Sequence, residues 1–247
     1  MTTILGASAS GMVHNQGVLD TVANNIANVG TFAFKKMRPL AEGRPDATAT
    51  ADSSRLGVAD TTRDLIFSGA AAQMDEDPLH FSIQDDAFFR VQDTDGATLF
   101  TRFGALAADS AGNITAFRGR LLQPPVSVPA DMTNPAIDQQ GAITALDSAG
   151  VRQPIGQLSL VRFTNPQGLV SLGDGLYQES ANTGQLSEGT PGDPGFSTVI
   201  PGALEASNVD IAEEFTNMII AQRAYQACAK TFSIGDEMLR IATNITQ

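Results

Sequence analysis

The chain has 247 residues, 42% of them apolar, with no Trp, one Cys and a formal net charge of −12. A pI near 4.4 argues against nucleic acid or an anionic membrane as the main partner, and a single cysteine rules out a disulfide framework. No apolar run reaches the roughly 18 residues that a membrane span needs, and no basic stretch followed by an apolar core opens the chain, so neither membrane insertion nor a cleaved signal peptide is expected.

The first element is predicted as a helix over 1–30. Leu5, Met12, Leu19 and Ile26 recur at one heptad position, and Ala9, Gln16 and Ala23 fill the steps between. Gly6, Gly11 and Gly17 each cost about 1 kcal/mol against Ala in a helix interior, so this helix needs packing partners that come close to its backbone. Asn24, Asn25 and Asn28, followed by Gly30, supply its stop and can tie the chain beyond by side-chain to backbone hydrogen bonds. Residues 31–76 then read as an extended arm or linker, basic at Lys35, Lys36 and Arg38 and of low complexity over 46–54.

Over 77–183 short β signals recur, and an all-β domain is expected. Candidate strands are Phe88 to Gln92, Leu99 to Arg102, Ala105 to Ala108, Ile114 to Phe117, Arg120 to Gln123, Val126 to Val128, Ala136 to Asp138, Ile143 to Leu146 and Gln157 to Phe163. Turn chemistry lies between several of them, at Asp93 to Gly96, Asp109 to Asn113 and Asp147 to Gly150. A Gly- and Pro-rich connector follows over 184–207.

The last element is a helix over 208–247, with Ser207 and Asn208 as its expected cap and Glu213 and Glu214 in its first turn. It carries two apolar stripes. One runs through Ile211, Phe215, Met218, Gln222, Tyr225, Phe232 and Leu239; the other through Ile220, Ala224, Ile234, Met238, Ile241 and Ile245. A helix packed on one neighbour needs one stripe of about 100°, so two stripes imply neighbours on two sides. The fold class is therefore α+β: terminal helices packed as a coiled-coil-like layer, with a central all-β domain. Leu5, Met12, Leu19 and Ile26 are expected to face Phe215, Met218, Tyr225, Phe232 and Leu239 or further copies.

Candidate chemistry is sparse. His14 and His80 lack metal-ligand spacing, Cys228 lies among alanines as a small apolar residue, and no phosphate loop, nucleophile elbow or dinucleotide fingerprint occurs. No catalytic, cofactor or metal site is expected. The acidic cluster Asp75, Glu76, Asp77, Asp85 and Asp86 lacks the spacing of a calcium loop. Two rival classes stay open: a free-standing β-rich binding module such as an adhesin or glycan binder, and a hydrolase using that acidic cluster.

The segment "TVANNIANVGTFAFKK" (Thr21 to Lys36) resembles the N-terminal signature of bacterial flagellar rod and hook proteins, and "GALEASNVDIAEEFTNMIIAQRAYQACAK" (Gly202 to Lys230) resembles their C-terminal one. The stretch from Asp77 to Pro124, with "FFRV", "DG" and "TRFG", is similar to their central β segment, and two later runs agree as well. The motif residues are Asn24, Asn25, Asn28, Phe34, Lys35, Glu205, Ser207, Asn208, Gln222, Arg223 and Tyr225. In length and in its single middle domain the chain resembles proximal or distal rod proteins more than the longer hook subunit. The resemblance implies a structural subunit of the basal-body rod, partnered by its own copies and other axial proteins in a helical tube that transmits torque. It also implies passage through the flagellar type III export apparatus without a cleaved signal peptide.

Overall fold

The computed structural model describes residues 2–41, 58, 62–93 and 95–245. These form two compact units. The low-complexity run over 46–54 lies outside the described residues.

The first unit holds helix α1 (Thr2–Ala27), helix α2 (Ile211–Ile245) and an antiparallel ribbon of Met37–Leu40 with Thr62–Leu65. The α2 cap is Asp210, whose Oδ1 accepts the amide N–H groups of Ala212 (2.8 Å) and Glu213 (3.2 Å). The expected cap, Asn208, instead donates its side-chain amide to Ser68, because the helix begins three residues further on. Glu213 and Glu214 then complement the positive end of the helix dipole.

The two helices run antiparallel, as three contacts along their length show. Asn25 Nδ2 donates to Glu214 (3.2 Å), a Cβ on Gly11 would sit 2.8 Å from Cys228 Sγ, and one on Gly235 would sit 2.9 Å from Leu5 Cδ2. The seam therefore runs through Gly11, Val18 and Asn25 on α1 and through Glu214, Ala221, Cys228 and Gly235 on α2, two heptad-spaced lines of mostly small residues. Small side chains let the backbones approach, which is how a helix carrying glycines gains the packing it lacks alone. This corrects the expected pairing. Leu5, Met12, Leu19 and Ile26 are only half-buried, Met218 and Leu239 likewise, and Phe215, Tyr225 and Phe232 are exposed. Apart from Leu5, which meets Gly235 across the seam, these large apolar residues flank the seam instead of filling it.

The second unit holds residues 30–35 and 67–208 and is β-rich. Its main sheet has nine strands, all pairs antiparallel, with Phe88–Gln92 at its centre between Thr98–Thr101 and Arg120–Gln123. A three-stranded sheet (Thr133–Ile137, Ala142–Leu146, Arg152–Gln157) and two ribbons complete it. Alternation along "FFRVQ" sends Phe89 and Val91 into an aliphatic core with Leu99, Ile114, Leu122 and Leu160. Phe88, on the other face, packs edge-on against Phe67, Phe163 and Tyr177. Both faces of this strand are thus covered.

One turn recurs in this unit. At Asp93, Asp109, Asp138 and Asp147 the carbonyl accepts the N–H of the glycine three residues on, and those glycines, 96, 112, 141 and 150, all have positive φ. At the last three the Asp Oδ1 also accepts the amides two and four residues on, at 2.8–3.0 Å. Aspartate holds the open amides and glycine takes the left-handed corner, so the sequence D-x-x-G fixes the register of each hairpin.

Several expectations shift. Val126 to Val128 forms no strand, only a bridge at Ser127, and the run Gln157 to Phe163 divides into Arg152–Gln157 and Leu160–Phe163. The arm expected at 31–76 carries Met37–Leu40, Thr62–Leu65 and Ala72–Met74. The connector expected at 184–207 carries Leu186–Gly189, Val199–Pro201 and Ala203–Glu205. Three- and four-residue strands are too short to show a period, and their pairing depends on partners far along the chain.

Candidate functional site

Three constellations use the motif residues. The first lies wholly inside the β-rich unit, where the short segment 30–35 brings Lys35 against the last ribbon strand. Lys35 Nζ donates to Glu205 Oε1 at 2.7 Å, and Arg102 grips the same carboxylate side-on, Nε to Oε2 at 2.9 Å and Nη2 to Oε1 at 3.1 Å. All three side chains are sealed from solvent. Further donors are met by backbone oxygens: Lys35 reaches the Ser68 carbonyl at 2.8 Å and Arg102 the Ala87 carbonyl at 2.9 Å. Glu205 also accepts the Ala70 amide (3.1 Å), while its own carbonyl accepts that of Ala33 (2.7 Å). Burial, and then the neighbouring Arg102 guanidinium, hold the Lys35 ammonium below its ordinary range, against the opposing pull of Glu205. Burial likewise pushes the Tyr177 phenol, in the aromatic cluster close by, well above its usual value.

This triad joins three stretches of chain: Lys35 and Glu205 are 170 residues apart, Arg102 and Glu205 are 103 apart. One carboxylate between two cations cannot serve as an acid or base at reach of a substrate. Its arrangement fastens backbone to backbone.

The second constellation lies in the helical unit. Asn25, buried, donates to the Met37 carbonyl (2.8 Å) and accepts the Met37 amide (2.9 Å), making the hydrogen bonds of a strand neighbour while also reaching Glu214. Lys36 pairs with Glu213 at 2.8 Å. Of the three asparagines, then, Asn25 ties the arm, while Asn28 closes the helix end onto Asn24 (2.9 Å). A cleft lined by His14, Val18, Met37, Arg38, Asn217 and Ile220 adjoins this network.

The third is the outward surface of α2. Ile211, Phe215, Ile219, Ile220, Tyr225, Phe232, Ile234, Met238 and Ile241 expose between 38 and 61% of their surface, far more apolar area than an ordinary monomer helix presents. The side chains of Gln222, Arg223 and Tyr225 make no hydrogen bond or ion pair among the described residues.

Arg102 and Asp210 were missed in the sequence, and Glu214 was expected only as a partner of the helix dipole, not of Asn25. Arg102 had a signal, a lone arginine amid Phe100, Thr101 and Phe103 in a β segment, where a charge must face solvent or find a partner. In the acidic cluster, Asp75 bonds His80 (3.0 Å) and is held below the usual carboxylate range by it, Asp77 accepts the Leu79 amide, and Asp85 accepts that of Ser197. Among the described residues no group of three or more His, Cys, Asp or Glu side chains could hold a metal, and no helix is long and apolar enough to cross a membrane.

A helix at each end, a β-rich unit locked by a buried charge triad and a long helix with unpartnered apolar flanks together define a structural subunit. Comparison with known proteins agrees. The model for the flagellar basal body rod FlgEFG protein C-terminal region matches residues 200–245, and that for the flagellar hook protein FlgE/F/G D1 domain matches residues 82–145. The flagellar basal-body rod protein FlgG of Bacillus subtilis (strain 168) is 34% identical, with 99% of each chain covered. FlgG of Borreliella burgdorferi shows the same identity and coverage, and the hook protein FlgE of that organism is 43% identical over 109 residues, 44% of this chain and 25% of that one. The chain belongs to the flagellar rod and hook protein family, whose members are structural proteins and not enzymes.

Proposed function

We propose that this chain is a structural subunit of the flagellar basal-body rod, assembling with its own copies and with other axial flagellar proteins into a helical tube that carries torque from motor to hook. The observation that carries this reading is the exposed apolar surface of α2, set beside full-length similarity to rod proteins. A heterologous contact that does not close generates a helix of subunits. Unpartnered flanks on both sides of an intrachain seam offer such a contact. Leu5, Met12, Leu19 and Ile26, with Phe215, Met218, Tyr225, Phe232 and Leu239, form the assembly surface, and the heptad spacing of the seam supports a coiled-coil-like packing of the terminal helices. The subunit reaches its place through the flagellar type III export apparatus.

Deleting the gene and imaging basal bodies by electron microscopy tests the assignment. Rods are expected to be absent or truncated, with motility restored by the wild-type gene. Intact rods and normal swimming in the deletion strain would refute it.

A further inference from the structure

The helical unit carries opposite charges on its two outer backs. On α1 the seam passes through Gly11 and Val18, so Val13 and Asp20, each two residues on, lie about 200° around the helix and point away from α2. On α2 the seam passes through Ala221 and Cys228, so Arg223 and Lys230 are displaced in the same way and point away from α1. Asp20, Arg223 and Lys230 are all exposed, and none has an ion pair among the described residues. Asp20 is the only carboxylate in α1, and no acid lies within one helical turn of either cation. Apolar surface accompanies both patches: Val13 is 66% exposed and Ile219 57%.

The heights match too. Gly11 faces Cys228 across the antiparallel seam, so Asp20, nine residues further along α1, stands level with Ile219 on α2. In a copy lying beside the first at the same height, Arg223 is four residues from that level, an axial offset of about 6 Å at 1.5 Å per residue, within reach of an arginine side chain.

From this complementarity we propose that neighbouring copies of this chain meet α1 back to α2 back, with Asp20 of one pairing with Arg223 of the next and Lys230 adding to the attracting field. The contact is heterologous, so a pair still presents one free back of each sign, one on each copy, and the row extends. An exposed ion pair adds little affinity on its own, and its effect is on orientation and on rejection of the wrong register. This inference rests on the rod reading and specifies one of its contacts.

The test uses the full chain. By sedimentation velocity at low ionic strength, Arg223→Glu and Asp20→Arg are each expected to weaken self-association by about tenfold, and the double variant to recover most of the loss. In cells, Asp20→Cys with Arg223→Cys in a Cys228→Ala background is expected to give, on mild oxidation of isolated basal bodies, a ladder of cross-linked multimers. A single dimer band, no product, or charge reversals that leave self-association unchanged would overturn the contact. Those outcomes leave the subunit assignment untouched; absence of any rod defect in the deletion strain would fell the assignment instead.

Discussion

Glu205→Gln tests the buried triad most directly. The wild-type carboxylate takes three contacts from two cations at 2.7, 2.9 and 3.1 Å, with every side chain at 0% exposure. Glutamine keeps the volume but removes the one negative charge, leaving Lys35 and Arg102 facing each other in a site closed to water. Breaking a buried pair by removing one partner costs about 3–5 kcal/mol, and the upper half of that range is expected here because two cations lose the same partner. Lys35→Met is expected to cost much less, about 1–2 kcal/mol, because the side-on Arg102–Glu205 pair survives and its net charge falls to zero. Urea unfolding followed by near-UV circular dichroism of Tyr177, packed against Phe67 and Phe88, reports on this unit. The pH dependence has a definite sign. Lys35 titrates in the folded protein below its unfolded value of 10.5, so between those two values the unfolded chain holds more protons and stability rises with pH. In Glu205→Gln the raising influence of the carboxylate is gone, the window widens downward, and alkaline pH is expected to recover part of the loss. A Glu205→Gln variant within about 1 kcal/mol of wild type, or a Lys35→Met variant equally damaged, would refute the account of the triad.

Asn25→Ala is expected to cost about 2 kcal/mol by leaving the Met37 amide and carbonyl unmet, and hydrogen exchange at Met37 should accelerate while the β-rich unit is unaffected. Gly104→Ala should prevent native folding of the β-rich unit, because a Cβ there would lie 1.9 Å from the Phe81 carbonyl oxygen; a native near-UV spectrum at room temperature would contradict this. Asp109 and Asp147 are held below the ordinary carboxylate range chiefly by the backbone amides of Asn113 and Val151, so their contribution is complete above that range and is lost as pH falls through their depressed values. The double variant Asp109→Asn with Asp147→Asn should therefore show a flatter decline of melting temperature with acid than wild type.

The helices were legible because each runs long enough for several heptads to repeat, and the hairpins because D-x-x-G names its own backbone geometry. The seam was misplaced for a physical reason. Hydrophobic pattern marks large residues, whereas these helices approach through Gly11, Cys228 and Gly235, which score weakly as apolar but permit the closest backbones. The short strands at 37–40, 62–65 and 203–205 were hidden because their pairing is decided by distant partners. Lys35 and Glu205 could be named as motif residues, yet nothing in either local sequence says that they meet: the fact that joins them is three-dimensional.

That meeting divides the motif residues into two physical groups. Asn25, Lys35 and Glu205 are buried and bonded, and their work is to hold segments within one unit. Gln222, Arg223 and Tyr225 are exposed and do nothing for the isolated fold. Replacing a residue of the first group should lower the stability of the monomer, whereas replacing one of the second should leave its unfolding midpoint within about 0.5 kcal/mol and reduce only assembly. Arg223→Ala therefore separates the two. An unchanged urea midpoint with weakened self-association is the expected pair of results, and a destabilised monomer would show that the α2 back has a partner within its own chain.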